Sequence, residues 1–257
     1  MKLLATDYDG TLCYGYGDVM PEDLDAIRRW KEAGNLFAVV TGRSGLSIHR
    51  ELDKYDLNPD FIICNNGGLV FDGDGRRLSE NYMETITAID LVYAMKEMDD
   101  VCSVMVNDGM ARHKICVNPQ LEDPRYPGVK ADLPEDEALS LPRYCQIVVS
   151  MTDSQAAEDM AEQINHFFGD HLAAYPNNTC VDVVAKGVNK GEGLQFALSW
   201  ADVDEEDVYV LGDSWNDLPM IEAVPNSAAI VTAPEAVKAQ ASRTCTGLSE
   251  LVGDLLA

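Results

Sequence analysis

Short, wholly apolar runs alternate along the chain with longer stretches in which apolar residues recur every three or four positions. Runs of four or five consecutive apolar residues fit strands buried on both faces of a parallel sheet; the longer spacing fits helices that cover such a sheet. Residues 3–6, 36–40 and 61–64 are read as strands of this kind. Residues 21–33 predict a helix, with Leu24, Ile27, Trp30 and Ala33 on one face, Asp18 placed to cap it and Gly34 past its end. A second helix is expected over 45–54, and Leu69-Val70-Phe71 running into Asp72-Gly73-Asp74-Gly75 predicts a strand and a hairpin turn.

The rhythm changes after about Asn81. A helix over 85–98 is followed by strands at 101–106 and 110–117, joined by the turn Asn107-Asp108-Gly109. Residues 118–142 are rich in proline and acid and show little periodicity; a strand at 146–151, a helix at 154–168 and a strand at 180–185 follow. Alternation resumes near Lys190 with a helix at 192–201, strands at 208–211 and 228–231 and a helix at 234–241. The expectation is an α/β fold whose parallel-sheet core is assembled from both ends of the chain, residues 1–81 and 186–257, with an α+β cap domain inserted at 82–185.

Composition narrows the function classes. At 257 residues, 46% hydrophobic and 25% charged, the chain has an ordinary globular balance and is long enough to bury a core without disulfides. A net charge of −25 argues against nucleic acid and anionic membrane as partners, since both need clustered Lys and Arg. It also gives weight to the few basic residues beside strand ends. Seven cysteines, an odd number with no C-x-x-C pair, point to reduced thiols. Apolar runs fall short of the roughly 20 residues that span a bilayer, and Met1-Lys2-Leu3-Leu4 leads directly into the first motif, so a cytoplasmic protein is expected, as a monomer or weak homodimer.

The candidate chemistry begins with Asp7-Tyr8-Asp9-Gly10-Thr11, directly after the first strand. Asp7 and Asp9, two positions apart, project to one side. Two like charges a few ångströms apart repel by about 4 kcal/mol at an effective dielectric near 20, which a cation or a shared proton relieves. Thr41-Gly42-Arg43 follows the second strand, Lys190 opens a helix, and Gly212-Asp213 and Asn216-Asp217 follow a late strand. Strand C-termini of a parallel sheet share one edge, so these segments can converge on one crevice. Lys186 competes with Lys190, and Asn189-Lys190-Gly191 at a helix start favours Lys190. Arg43 faces either substrate or a nearby carboxylate, and Arg112-His113-Lys114 reads as a solvated strand end ahead of an anion site.

The ordered set D-x-D-G-T, strand-terminal Thr, Lys and G-D-x-x-N-D resembles the haloacid dehalogenase superfamily of aspartate-nucleophile phosphotransferases. Thr41-Gly42-Arg43, Asn66-Gly67 and Asn189-Lys190-Gly191 are phrased as in its Cof-type branch. Nine residues separate Thr11 from Pro21, too few for a cap there, so the insertion after the third strand resembles that branch's second-position α/β cap on a Rossmann-like core. The resemblance implies Asp7 as nucleophile and Asp9 as general acid and base. It implies Mg²⁺ held by Asp7, Asp213 and the Asp9 carbonyl. Thr11, Thr41, Gly42, Arg43 and Asn216 would bind phosphate or substrate, helped by backbone N–H groups around Tyr8 to Gly10. Lys190 would neutralise the phosphate and Asp7, with Asp217 orienting Lys190 and the metal waters. The implied activity is hydrolysis of a small phosphorylated metabolite, sugar phosphates first and nucleotide or cofactor phosphates behind. A phosphomutase and a non-catalytic phosphometabolite sensor are the alternatives.

Overall fold

The apolar runs become strands. In chain order the elements are β1 (Leu3–Thr6), α1 (Pro21–Glu32), β2 (Leu36–Val40), α2 (Gly45–Asp53), β3 (Phe61–Cys64), β4 (Leu69–Asp72), β5 (Arg77–Glu80), α3 (Thr85–Lys96), β6 (Val101–Asn107), β7 (Arg112–Val117), α4 (Glu135–Ala138), β8 (Gln146–Met151), α5 (Ser154–Phe168), β9 (Leu172–Asn177), β10 (Cys180–Ala185), α6 (Lys190–Ala201), β11 (Val208–Gly212), α7 (Leu218–Glu222), β12 (Asn226–Ile230), α8 (Glu235–Gln240), β13 (Arg243–Cys245) and α9 (Leu248–Leu255). The structure is a computed structural model and describes residues 1–14, 17–128 and 130–257. It divides into two units, one of residues 1–43, 48–80 and 189–257, the other of residues 44–47 and 81–188.

The first unit is built on an eight-stranded sheet in the order β13-β12-β11-β1-β2-β3-β4-β5. The six strands from β13 to β3 are parallel, and β4 and β5 close one edge antiparallel. Central β1 lies between β11 and β2, with Leu3 opposite Val208 and Leu36. Leu3 and Ala5 pack on one face with Ala38, Val40, Leu194 and Val210. Leu4 and Phe37 are equally buried, which is why these runs are continuous rather than alternating. Helix α1 turns Ala26, Ile27 and Trp30 inward, and the Trp30 indole N–H donates to the Leu36 carbonyl at 2.7 Å.

Two expectations for α1 are corrected. Asp18 does not cap it: the helix starts after Met20 with Pro21 in its first turn, and the Asp18 carboxylate instead accepts from the Tyr55 hydroxyl at 2.8 Å. Ala33 lies exposed past the helix end, while buried Asp23 accepts from the Ser249 backbone N–H at 2.8 Å, satisfying an orphan donor at the start of α9.

The second unit is a five-stranded antiparallel sheet in the order β7-β6-β8-β10-β9. One face buries Val104, Val106, Ile147, Val149, Val181 and Val183 against α3 and α5. Elsewhere on the sheet, buried Asp123 accepts from Ser103 Oγ at 2.6 Å, Ser150 Oγ at 2.8 Å and Lys114 Nζ at 3.3 Å. These bonds tie the aperiodic stretch after β7 to the strands. Lys114 is therefore not a solvated strand end; it is 4% exposed and paired with that carboxylate. The fold is mixed α/β, with a parallel-sheet core and an additional antiparallel sheet. No helix among the described residues is long and apolar enough to cross a membrane.

Candidate active site

The C-terminal ends of β1, β2, β3 and β11, with the start of α6, bring the motif residues of the first unit together. Asp7 leaves β1 with its N–H on the Leu211 carbonyl at 2.9 Å, so the pairing with β11 continues into the motif. The chain then turns tightly, with Cys13 N–H on the Tyr8 carbonyl at 2.7 Å and Gly10 N–H on the Cys13 carbonyl at 2.9 Å. Gly10 has φ +93°, and a Cβ there would lie 2.5 Å from Asp213 Oδ2. The residue must be glycine for Asp213 to approach.

Lys190 is the first residue of α6, whose start is capped by Asn189 Oδ1 accepting from Glu192 N–H at 2.8 Å. Gly67, at φ +98°, allows the Asn189 carbonyl to within 2.1 Å of where a Cβ would stand. Lys190 Nζ bonds Asp7 Oδ1 and Asp217 Oδ1, each at 2.6 Å, with the lysine 1% exposed. The other Asp217 oxygen accepts from the Asp213 N–H at 2.8 Å and the Ser214 N–H at 2.9 Å. Ser214 and Asp217 form a capping box around the turn after β11, which holds Asp217 Oδ2 and leaves Oδ1 to Lys190.

The electrostatics follow from gathering two buried carboxylates, Asp7 and Asp217, and the half-buried Asp213 around one ammonium. Burial lowers the Lys190 pKa, but the charges of Asp217 and Asp7 outweigh it and hold the amine protonated. Burial, opposed by Lys190 and reinforced by Asp217 and Asp213, pushes Asp7 well above the usual carboxylate range. Asp213 is pushed up to about 6 by burial and by the charge of Asp217. Oxygens of Asp7, Asp213 and Asp217 lie within 4.8 Å of one another. This hard-oxygen set, with excess negative charge, suits a hard divalent cation.

Other expected residues take more specific places. Thr11, expected on phosphate, commits its hydroxyl to Asp213 Oδ1 at 2.8 Å. The expected backbone cradle loses the Gly10 N–H to Cys13. Arg43 faces a carboxylate: Nε and Nη2 bond the two oxygens of Asp9, each at 2.7 Å. The buried Thr41 hydroxyl accepts from Arg43 N–H at 3.1 Å and keeps its own proton to donate. Gly42 lies in the bend between β2 and α2. Asn216 Nδ2 donates to Asn66 Oδ1 at 3.2 Å, and Asn66 N–H to the Thr41 carbonyl at 3.0 Å, linking three strand ends. Lys186 is exposed. Sequence reasoning missed Glu51, whose Oε1 lies 3.1 Å from Arg43 Nη1, and the Ser214 cap, which Ser214-x-x-Asp217 does signal.

The sequence model of the haloacid dehalogenase-like hydrolases matches residues 4–250. Pyridoxal phosphate phosphatase YbhA of Escherichia coli K12 is 28% identical over 255 residues, spanning 94% of this chain and 92% of that protein. Among solved structures, a haloacid dehalogenase-like hydrolase from B. subtilis superposes with TM-score 0.86 at 20% identity, covering 99% of this chain and 100% of its own. A sugar phosphatase of HAD subclass IIB superposes at 0.82 and 20% identity, covering 99% of each chain. At that identity the structural likeness speaks for the fold; the family match over nearly the whole length speaks for descent. With the four motifs converging at the sheet's strand ends, the chain belongs to the haloacid dehalogenase-like hydrolase family.

Proposed function

We propose that this hydrolase is a Mg²⁺-dependent phosphatase of small phosphorylated metabolites that works through an aspartyl-phosphate on Asp7. The observation that carries the reading is Lys190, buried between Asp7 and Asp217 with Asp213 alongside. A carboxylate placed against an ammonium and a cation site is suited to meet a phosphate dianion.

In the first step an Asp7 oxygen attacks phosphorus, the bond to the leaving oxygen breaks, and Asp9 gives that oxygen its proton. In the second, Asp9 takes a proton from water, the water oxygen attacks phosphorus, and Asp7 is released with inorganic phosphate. Lys190 offsets charge on Asp7 and the phosphoryl group throughout. Thr41 donates its hydroxyl to a phosphoryl oxygen, and Asn216 is within the same loop cluster to bond another. Thr11 and Asp217 hold Asp213 and Lys190 in place. Asp7, Asp213 and the Asp9 carbonyl would hold Mg²⁺, which when bound supplies electrostatic stabilisation of charge on the phosphoryl oxygens. Phosphate-monoester hydrolysis calls for enhancements approaching ~10²¹, more than one carboxylate can supply.

Substrate choice is assigned to the inserted unit, because the chemistry-bearing side chains all belong to the other. Sugar phosphates and pyridoxal phosphate are the first substrates to test, given the relatives described above. All seven cysteines are free thiols, which supports a reducing compartment such as the cytoplasm. The test is release of phosphate from an aryl phosphate, then from a panel of phosphorylated metabolites. Turnover should need Mg²⁺, stop with chelator and vanish in Asp7→Asn. Isomer interconversion without phosphate release would make the chain a mutase; tight binding with no turnover on any substrate would make it a sensor.

A further inference from the structure

Asp9 is held by an arginine that is itself held. The Arg43 guanidinium turns one edge, Nε and Nη2, to Asp9 and its remaining nitrogen, Nη1, to Glu51 Oε1 at 3.1 Å. Its face lies over the Tyr8 ring, 4.9 Å from the centroid. Glu51, on α2, is fixed in turn by Lys54 Nζ at 2.7 Å and by the Tyr8 hydroxyl at 3.4 Å. Arg43, Asp9 and Glu51 side chains are only 21–25% exposed. Glu51, Arg43 and Asp9 thus form one partly sheltered chain, with the exposed Lys54 at its outer end.

We propose that Glu51 is a positioning residue for proton transfer to the leaving group, acting through Arg43 on Asp9. The inference rests on the reading of Asp9 as general acid. An incoming phosphate dianion is a stronger attractor for a guanidinium than the Asp9 carboxylate, and an unanchored Arg43 would follow it. Glu51 and Tyr8 oppose that pull from the far edge and from the ring face. Arg43 then stays as a fixed pivot from which Asp9 exchanges one hydrogen bond for the leaving oxygen. Both Asp9 oxygens are bonded to Arg43 in the resting arrangement, so such an exchange is required before Asp9 can serve.

The test uses leaving-group chemistry, because an aryl oxygen departs without a proton and an alkyl oxygen does not. The readout is kcat/KM, which covers only phosphoryl transfer to Asp7 and not the later hydrolysis. In Glu51→Gln and Glu51→Ala, kcat/KM should fall about tenfold or more on an alkyl phosphate and less than about threefold on p-nitrophenyl phosphate, within the 10²–10⁴ that acid catalysis supplies. Glu51→Asp should recover part of the alkyl activity, and thermal melts should stay close to the parent. Asp9→Ala is the benchmark and should show the same selectivity, larger. Equal losses on both substrates, or no loss, in the Glu51 variants while Asp9→Ala is selective would overturn the inference alone. A non-selective Asp9→Ala would overturn the acid assignment of Asp9 and this inference with it.

Discussion

Lys190→Met removes the ammonium that Asp7 and Asp217 share and keeps a side chain of similar length. Each contact, at 2.6 Å, has a gross Coulomb energy of about 6 kcal/mol at an effective dielectric near 20. Desolvation of the buried lysine and carboxylates cancels most of that gain. What remains visible on deletion is the penalty of leaving buried charge uncompensated, about 3–5 kcal/mol. Against a total of about 5–15 kcal/mol for a folded protein, the variant should fold but be marginal. Two dependences follow. Carboxylates left facing one another regain stability when protonated, so the deficit should shrink as pH falls. A cation at the same place supplies the missing charge, so Mg²⁺ should restore part of the loss. The assay is urea unfolding of parent and variant at about pH 7.5 and about pH 5.5, with and without Mg²⁺, comparing midpoints at constant slope. A deficit below about 1 kcal/mol at the higher pH, or one that grows at the lower, would refute the reasoning.

Asp213 gives a second pH signature. Its folded pKa of about 6 lies above the ordinary 3.8, so the ionised form is the one folding disfavours. The metal-free protein should gain stability as pH falls through about 6, whereas Mg²⁺ needs the ionised carboxylate; its affinity should weaken about tenfold per unit below that pH. Calorimetric titration of Mg²⁺ from neutral to acidic pH checks this, and a flat affinity would contradict it. Gly10→Ala should cost about 1–3 kcal/mol and weaken Mg²⁺ binding, since its Cβ would meet Asp213 at 2.5 Å at φ +93°. Gly75→Ala, at φ +77° with nothing within 4 Å, carries only the backbone strain and should leave Mg²⁺ binding unchanged.

What the sequence reveals depends on how local the cause is. β1, β2 and β3 are legible because strands buried on both faces must be apolar at every position. β9 escapes the same reading: Leu172–Asn177 is half-buried, carries Pro176, and lies at a sheet edge where proline is tolerated. α9 is invisible because Gly253 sits inside it and the acid that satisfies its start, Asp23, lies 226 residues away. α7 is a five-residue turn with Pro219 at its start, below the length at which periodicity speaks. Among site residues, Asp7, Lys190, Asp213 and Asp217 sit in recognisable motifs at strand ends and meet in space. Glu51 does not, because its role depends on α2 folding back beside Arg43, and nothing in the residues between them marks that. Thr11 stands in a motif, yet its partner is chosen by the close approach of Asp213 over Gly10.

The strand order of the parallel sheet has a consequence for how the protein is made. β1 pairs with β2 some 30 residues later but waits for β11, about 200 residues away, to cover its other edge. At ribosomal rates of about 5–20 residues per second that interval is roughly 10–40 s. Throughout it, the strand ending at Asp7 presents unpaired amides and apolar Leu3 and Leu4 to whatever is near. The strands of the inserted unit pair only within residues 101–185 and can close their own sheet during the wait. The active site is therefore among the last parts of the chain to exist, and a nascent chain cut short before β11 holds the D-x-D motif and Lys190 but lacks Asp213 and Asp217, the two carboxylates that complete the site. Slowing translation across the inserted segment lengthens the exposure of that edge, so yield, rather than the activity of what does fold, is the quantity such a change should move.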